Sequence, residues 1–105
     1  MDITLQYFSD CPNWKTTDAH LTALVTKHGV DAAVQHQLIE THETAVELGF
    51  RGSPTVLVDG VDPFADPNAP VGLTCRIYPT GDGAAGSPTL DQLQEAIAAR
   101  QHGVS

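Results

Sequence analysis

The change of period at Cys11-Pro12 constrains this chain more than any other feature. Residues 3–8 alternate Ile3, Leu5 and Tyr7 with Thr4, Gln6 and Phe8, a two-residue repeat whose β-branched and aromatic content suits a strand. From Pro12 the repeat becomes helical: Trp14, Leu21, Leu24 and Val25 share one face, and Gly29 supplies a left-handed stop. Proline fits the first helical turn, where its missing N–H is not needed. A strand that runs through a cysteine into a helix is a βα unit with a thiol at its corner.

The rest of the chain continues the alternation. A second strand is expected within residues 30–40, ending near Ile39. Thr41 is a fit N-cap for a short helix whose apolar face is Ala45, Val46 and Leu48, with Gly49 as its end and Phe50 folding back on it. Arg51-Gly52-Ser53-Pro54 is a turn that leads into the strand Thr55-Val56-Leu57-Val58, with proline at the first strand position. Asp59-Gly60 follows, and then a proline-rich stretch, residues 61–72, that reads as an insertion in a hairpin whose return strand is residues 73–78. A glycine-rich loop leads to Thr89, which forms a capping box with Gln92 for a last helix built on Leu90, Leu93, Ala96 and Ile97 and closed by Gly103. The expected order is βαβαββα: an α/β domain over residues 1–105, with a four-stranded mixed sheet flanked by three helices.

A chain of 105 residues suits a single small domain that needs neither metal nor disulfide to fold. Thirteen acidic residues against five basic ones give a net charge of -8, which disfavours nucleic acid and anionic membrane surfaces as partners. No run approaches the length of a membrane span, and MDITLQYF does not read as a secretory leader. A cytoplasmic protein is the expectation. Its two cysteines, Cys11 and Cys75, are then expected to rest as thiols.

The strand leading into Cys11-Pro12-Asn13-Trp14, the second βα unit, Gly52-Ser53-Pro54-Thr55 entering a strand, the hairpin and the final helix together resemble the thioredoxin-like superfamily. The pairing of CPNW with a GSPT motif is similar to small bacterial thioredoxin-like proteins, some of them labelled alkylmercury lyases. The resemblance implies that the Ser53-Pro54 bond is cis and lies beside Cys11. It also implies that Ser53 and Thr55, with Pro12 and Trp14, border a substrate cleft in which Ser53 offers its backbone to an extended peptide.

Cys11 at a helix start is expected to be the more acidic thiol, with Lys15 assisting and Asp10 opposing, and to be reactive rather than an inert apolar residue. Trp14 stands where a C-x-x-C dithiol would carry its resolving cysteine, so that local mechanism is absent; a core anchor is the simpler role for its indole. Three routes remain: glutathione resolves a mixed disulfide from outside, Cys75 resolves it from the hairpin, or the two thiolates hold a soft ion such as Hg(II), Cu(I) or Zn(II). Lyase chemistry would need the same thiolates and an acid, for which Asp10 is the candidate. Arg51 and Lys15 are the candidates for a glutathione carboxylate. An ordinary hairpin register places Cys75 beyond the roughly 7 Å Cα separation that a disulfide tolerates, as a buried strand cysteine, and a register changed by the insertion is the alternative that leaves the pairing open.

His20, His28, His36, His42 and His102 lack metal-ligand spacing and read as surface residues, and Asp59, Asp62 and Asp66 lack calcium-loop spacing. The expected function is mixed-disulfide exchange or glutathione-linked redox through a lone Cys11, with a thiol or disulfide protein or glutathione as partner. The alternatives are a binding module without catalysis or a thiolate binder of soft metals.

Overall fold

In a computed structural model, which describes residues 1–66 and 68–103, the chain forms β1 (Asp2–Tyr7), α1 (Trp14–Thr26), β2 (Ala33–Leu38), α2 (His42–Leu48), β3 (Thr55–Val58), β4 (Tyr78–Thr80), β5 (Gly83–Ala85) and α3 (Leu90–Gly103). The α/β class and the three helices match the sequence pattern. Among the described residues the main sheet has three strands, in the order β2-β1-β3, with β1 parallel to β2 and antiparallel to β3.

The two-residue repeat of β1 buries Ile3 and Leu5 in one cluster with Val56 and Val58 of β3, Leu21 and Leu24 of α1, and Leu93 and Ile97 of α3. Helices α1 and α3 therefore cover the face that Ile3 and Leu5 present. A smaller cluster joins Ile39, Ala45 and Phe50, with Val71 and Leu73 packed against it. Of the expected apolar face of α2 only Ala45 is buried; Val46 and Leu48 are exposed. A helix of seven residues turns one narrow stripe inward, and Phe50, folded back by the left-handed Gly49, fills the rest of that space.

The helix ends follow the side chains that cap them. Thr41 accepts a hydrogen bond from the Thr44 N–H, and Thr89 and Gln92 exchange the two bonds of a capping box. Helix α1 starts at Trp14 rather than at Pro12. Pro12 accepts a turn hydrogen bond from the Lys15 N–H, so Cys11 lies on the approach to the helix and not on its first turn.

The expected fourth strand is the main correction. Residues 73–77 do not pair along β3; among the described residues their sheet-type pairing is a single parallel bridge between Ser53 and Cys75. After Val58 the chain makes one bridge to Val61 and leaves the sheet edge. It cannot re-enter as a regular partner because the segment is anchored one residue ahead of Pro54, which has no N–H to donate. Strand β4 begins only at Tyr78 and pairs with β5, so the stretch expected to be a glycine-rich loop contains its own small hairpin, closed by Thr80 Oγ1 donating to the Gly83 carbonyl.

Side chains rather than a ladder fix this return segment. Arg76, buried despite its charge, donates to Asp62 Oδ2 at 2.7 Å, to Thr55 Oγ1 at 3.3 Å and to the Phe64 carbonyl. Its guanidinium also lies 4.7 Å from the centre of the Tyr78 ring. The pairing answers the cost of burying a charge, and it ties the insertion to the segment that carries Cys75. Tyr78 donates its hydroxyl to the Pro54 carbonyl. The close approach needs Gly52, whose φ is +119° and whose added Cβ would lie 3.0 Å from Arg76 Cβ.

Two outcomes follow for stability. Arg76→Leu leaves Asp62 without its counter-charge and should cost roughly 3 kcal/mol in urea denaturation, while Lys15→Leu at an exposed site should cost less than about 0.5 kcal/mol. For Tyr78, burial pushes the hydroxyl far above the usual phenol range; Arg76 opposes the rise and Asp62 adds to it. The unfolded chain loses this proton near pH 10 while the folded chain keeps it, so stability should fall as pH rises above about 10, by up to about 1.4 kcal/mol per pH unit. Tyr78→Phe should cost about 1 kcal/mol at neutral pH and show a shallower alkaline slope.

Candidate functional site: a buried and an exposed cysteine joined across the fold

Ser53 builds the site through its main chain. Its N–H donates to the Thr74 carbonyl at 2.8 Å, and its carbonyl accepts from the Arg76 N–H at 2.9 Å. These two bonds set Cys75 directly beside Ser53. From the other side, the chain leaves β1 and turns back, with the Cys11 N–H donating to the Phe8 carbonyl, so that Cys11 Sγ lies 3.6 Å from the Ser53 carbonyl oxygen. Cys11 and Cys75 are joined in a disulfide, with their Cα atoms 5.8 Å apart across 64 residues of sequence.

This overturns two expectations about Cys75. It is within bonding reach of Cys11, because the parallel bridge at Ser53 replaces the antiparallel hairpin register that would have carried it away. It is also an exposed residue, whereas Cys11 is fully buried. Cys11, expected to be the reactive thiol, is the buried one, with its sulfur against the Ser53 carbonyl. Rather than two resting thiols, the structure holds the oxidised pair.

Asn13 is a site residue that the sequence reading did not single out. Its Nδ2 donates toward Cys11 Sγ at 3.7 Å. Gly86 presses on this amide so closely that a Cβ there would overlap it. The hydroxyls of Thr17 and Ser87 bond at 2.6 Å and the His20 ring meets the Pro88 carbonyl at 3.2 Å, which hold that loop on α1. The available signal was the asparagine inside CPNW, which read only as part of a motif. An amide donor aimed at a sulfur favours negative charge on that sulfur.

The other expected site residues have these places. The Ser53-Pro54 bond is cis, and both residues are buried. Ser53 gives its backbone N–H and C=O to Thr74 and Arg76 of its own chain, so strand addition occurs here within the molecule. Its Oγ is buried without a hydrogen-bond partner. Thr55 donates its hydroxyl to the Gly52 carbonyl at 2.6 Å. Pro12 is exposed, and half-buried Trp14 packs on the core with its ring centre 4.4 Å from that of Tyr7. Lys15 Nζ lies 6.0 Å from the centre of the same indole. Asp10 is exposed.

A cavity of about 690 Å³ opens beside Cys75, walled by the insertion, by residues 74–79 and by Gln92 of α3. Its lining is mainly apolar, including Phe64, Ala65, Pro70, Ile77 and Pro79. Arg51 lines it too and donates to the Ala69 carbonyl. None of Pro12, Trp14, Ser53, Pro54 and Thr55 is among its lining residues.

Among the described residues no group of three or more His, Cys, Asp or Glu side chains is placed to hold a metal ion, and no helix is long and apolar enough to cross a membrane. His36 pairs with Asp18 at 2.7 Å on the surface. The side chain of His102 lies outside the described residues. No family model matches the chain, and neither a curated protein nor a solved structure is significantly similar to it.

Proposed function

We propose that this protein carries out thiol–disulfide exchange on a thioredoxin-like scaffold, with Cys11 and Cys75 as its redox pair. The observation that carries the reading is the Cα separation of 5.8 Å between the chain's two cysteines, set by main-chain bonds at Ser53. Strand order β2-β1-β3, the turn from β1 into α1 at Cys11 and the cis Ser53-Pro54 bond beside that cysteine support the scaffold. Cys11 and Cys75 together supply the two thiols of a dithiol mechanism, although Trp14 stands where a C-x-x-C motif would have its second, so no obligatory glutathione is needed. Glutathione remains a partner as a reductant or as a mixed-disulfide donor.

Cys75 is an exposed residue, which separates this pair from a wholly buried structural staple. Closing a loop of this length would also stabilise the fold by about 4 kcal/mol on chain-entropy grounds.

Turnover tests the reading. With dithiothreitol as reductant, the wild-type protein should speed the reduction of hydroxyethyl disulfide above the background, and Cys11→Ser and Cys75→Ser should each fall below the wild-type rate. Equal rates for wild type and both variants would remove the redox role. Ser53→Ala should retain the cross-link and the activity, because Ser53 acts through its backbone, and should leave stability unchanged or raise it by up to about 1 kcal/mol by removing an unpaired buried hydroxyl.

A further inference from the structure

We infer that Cys75, not Cys11, is the sulfur through which exchange partners enter, and that the apolar cavity beside it selects thiols or disulfides whose sulfur is flanked by an apolar group. This rests on the exchange function proposed above and assigns its direction and substrate class.

The first observation is the contrast in burial. Cys11 has no exposed surface, whereas Cys75 is exposed and forms part of the cavity wall. Exchange requires the attacking thiolate to approach a sulfur along the line of the bond that breaks. Of the two cysteines only Cys75 has surface at which a thiolate can arrive. The second observation is the donor at Cys11: Asn13 Nδ2 faces the sulfur that must leave, where it stabilises departing negative charge.

The step balances as follows. A substrate thiolate attacks Cys75 Sγ and forms a mixed disulfide there; the Cys75–Cys11 bond breaks and its electron pair goes to Cys11 Sγ. A second substrate thiolate then attacks the substrate sulfur of the mixed disulfide. This releases an oxidised substrate disulfide and leaves the protein as a dithiol. In the reverse direction, the Cys75 thiolate attacks a substrate disulfide and expels one substrate thiolate, after which Cys11 attacks Cys75 Sγ, releases the other and restores the bridge. The buried cysteine is thus the resolving thiol.

The cavity gives the substrate class. Phe64, Ala65, Pro70, Ile77 and Pro79 line the same cavity as Cys75, and Ile77 is 70% exposed.

Mass mapping tests the assignment. Oxidised wild-type protein is mixed with benzyl mercaptan or glutathione, quenched in acid within the first turnover, alkylated and digested. The first adduct should lie on Cys75 with both thiols; an adduct on Cys11 overturns the entry assignment while leaving exchange itself intact. With hydroxyethyl disulfide as probe, Cys11→Ser should form a mixed disulfide about tenfold or more faster than Cys75→Ser, and the opposite order overturns the proposal. For substrate class, the benzyl mercaptan rate is divided by the glutathione rate, each corrected for its reaction with hydroxyethyl disulfide in solution. The ratio should exceed one and fall severalfold in Ala65→Asp, which places a carboxylate at an exposed position of the wall. A ratio that is one or less, or that Ala65→Asp leaves unchanged, overturns the cavity's role. Absence of any adduct on a protein whose bridge dithiothreitol does reduce removes both this assignment and the exchange function.

Discussion

The two main-chain hydrogen bonds at Ser53 are the constraint on which the rest of the structure depends. A peptide group buried beside a core strand must find partners for its N–H and C=O, because leaving either unpaired costs about 1–3 kcal/mol. Ser53 finds both on residues 74 and 76, which flank Cys75. Cysteine pairing is therefore a by-product of backbone satisfaction: once residues 74–76 are drawn to Ser53, Cys75 has one place to be, and that place is over Cys11.

The surroundings make that register the favoured one. Gly52 allows the two backbones to come together where any side chain would collide with Arg76. Arg76 then turns inward to Asp62 and Phe64, and Tyr78 reaches the Pro54 carbonyl. Shifting the segment by one residue would bring Ile77 into the place of a guanidinium and leave Asp62 buried against apolar atoms. The charged pair thereby acts as a register device, a use that buried ion pairs serve better than they serve stability. Chemistry at the disulfide inherits its geometry from this clamp, which lies on the insertion side and not on α1.

Much of the architecture was legible from periodicity. The repeat of β1, the capping box at Thr89 and Gln92, the N-cap at Thr41 and the left-handed Gly49 are local signals, and each is realised as written. The fourth strand failed for a physical reason. Residues 73–78 have strand composition, but pairing depends on which edge is offered, and the prolines and the Arg76–Asp62 contact direct this segment to a single bridge instead. Within the candidate site, Cys11 and the cis Ser53-Pro54 bond were expected together. Asn13 and the exposure of Cys75 were not: the Asn13 amide is packed against Gly86 and Cys75 is bonded to Cys11, both contacts across more than sixty residues of sequence.

The sequence by itself determined the α/β class, the three helices, the acidic charge and the absence of a C-x-x-C pair, since these follow from local residue choice and composition. Tertiary structure alone decided that Cys75 meets Cys11, which of the two cysteines is exposed, and what lines the space beside it. Those outcomes depend on how residues 61–80 close over Ser53, and closure is governed by burial of Arg76 and Tyr78 and by backbone pairing at long sequence separation, neither of which has a periodic signature in the chain.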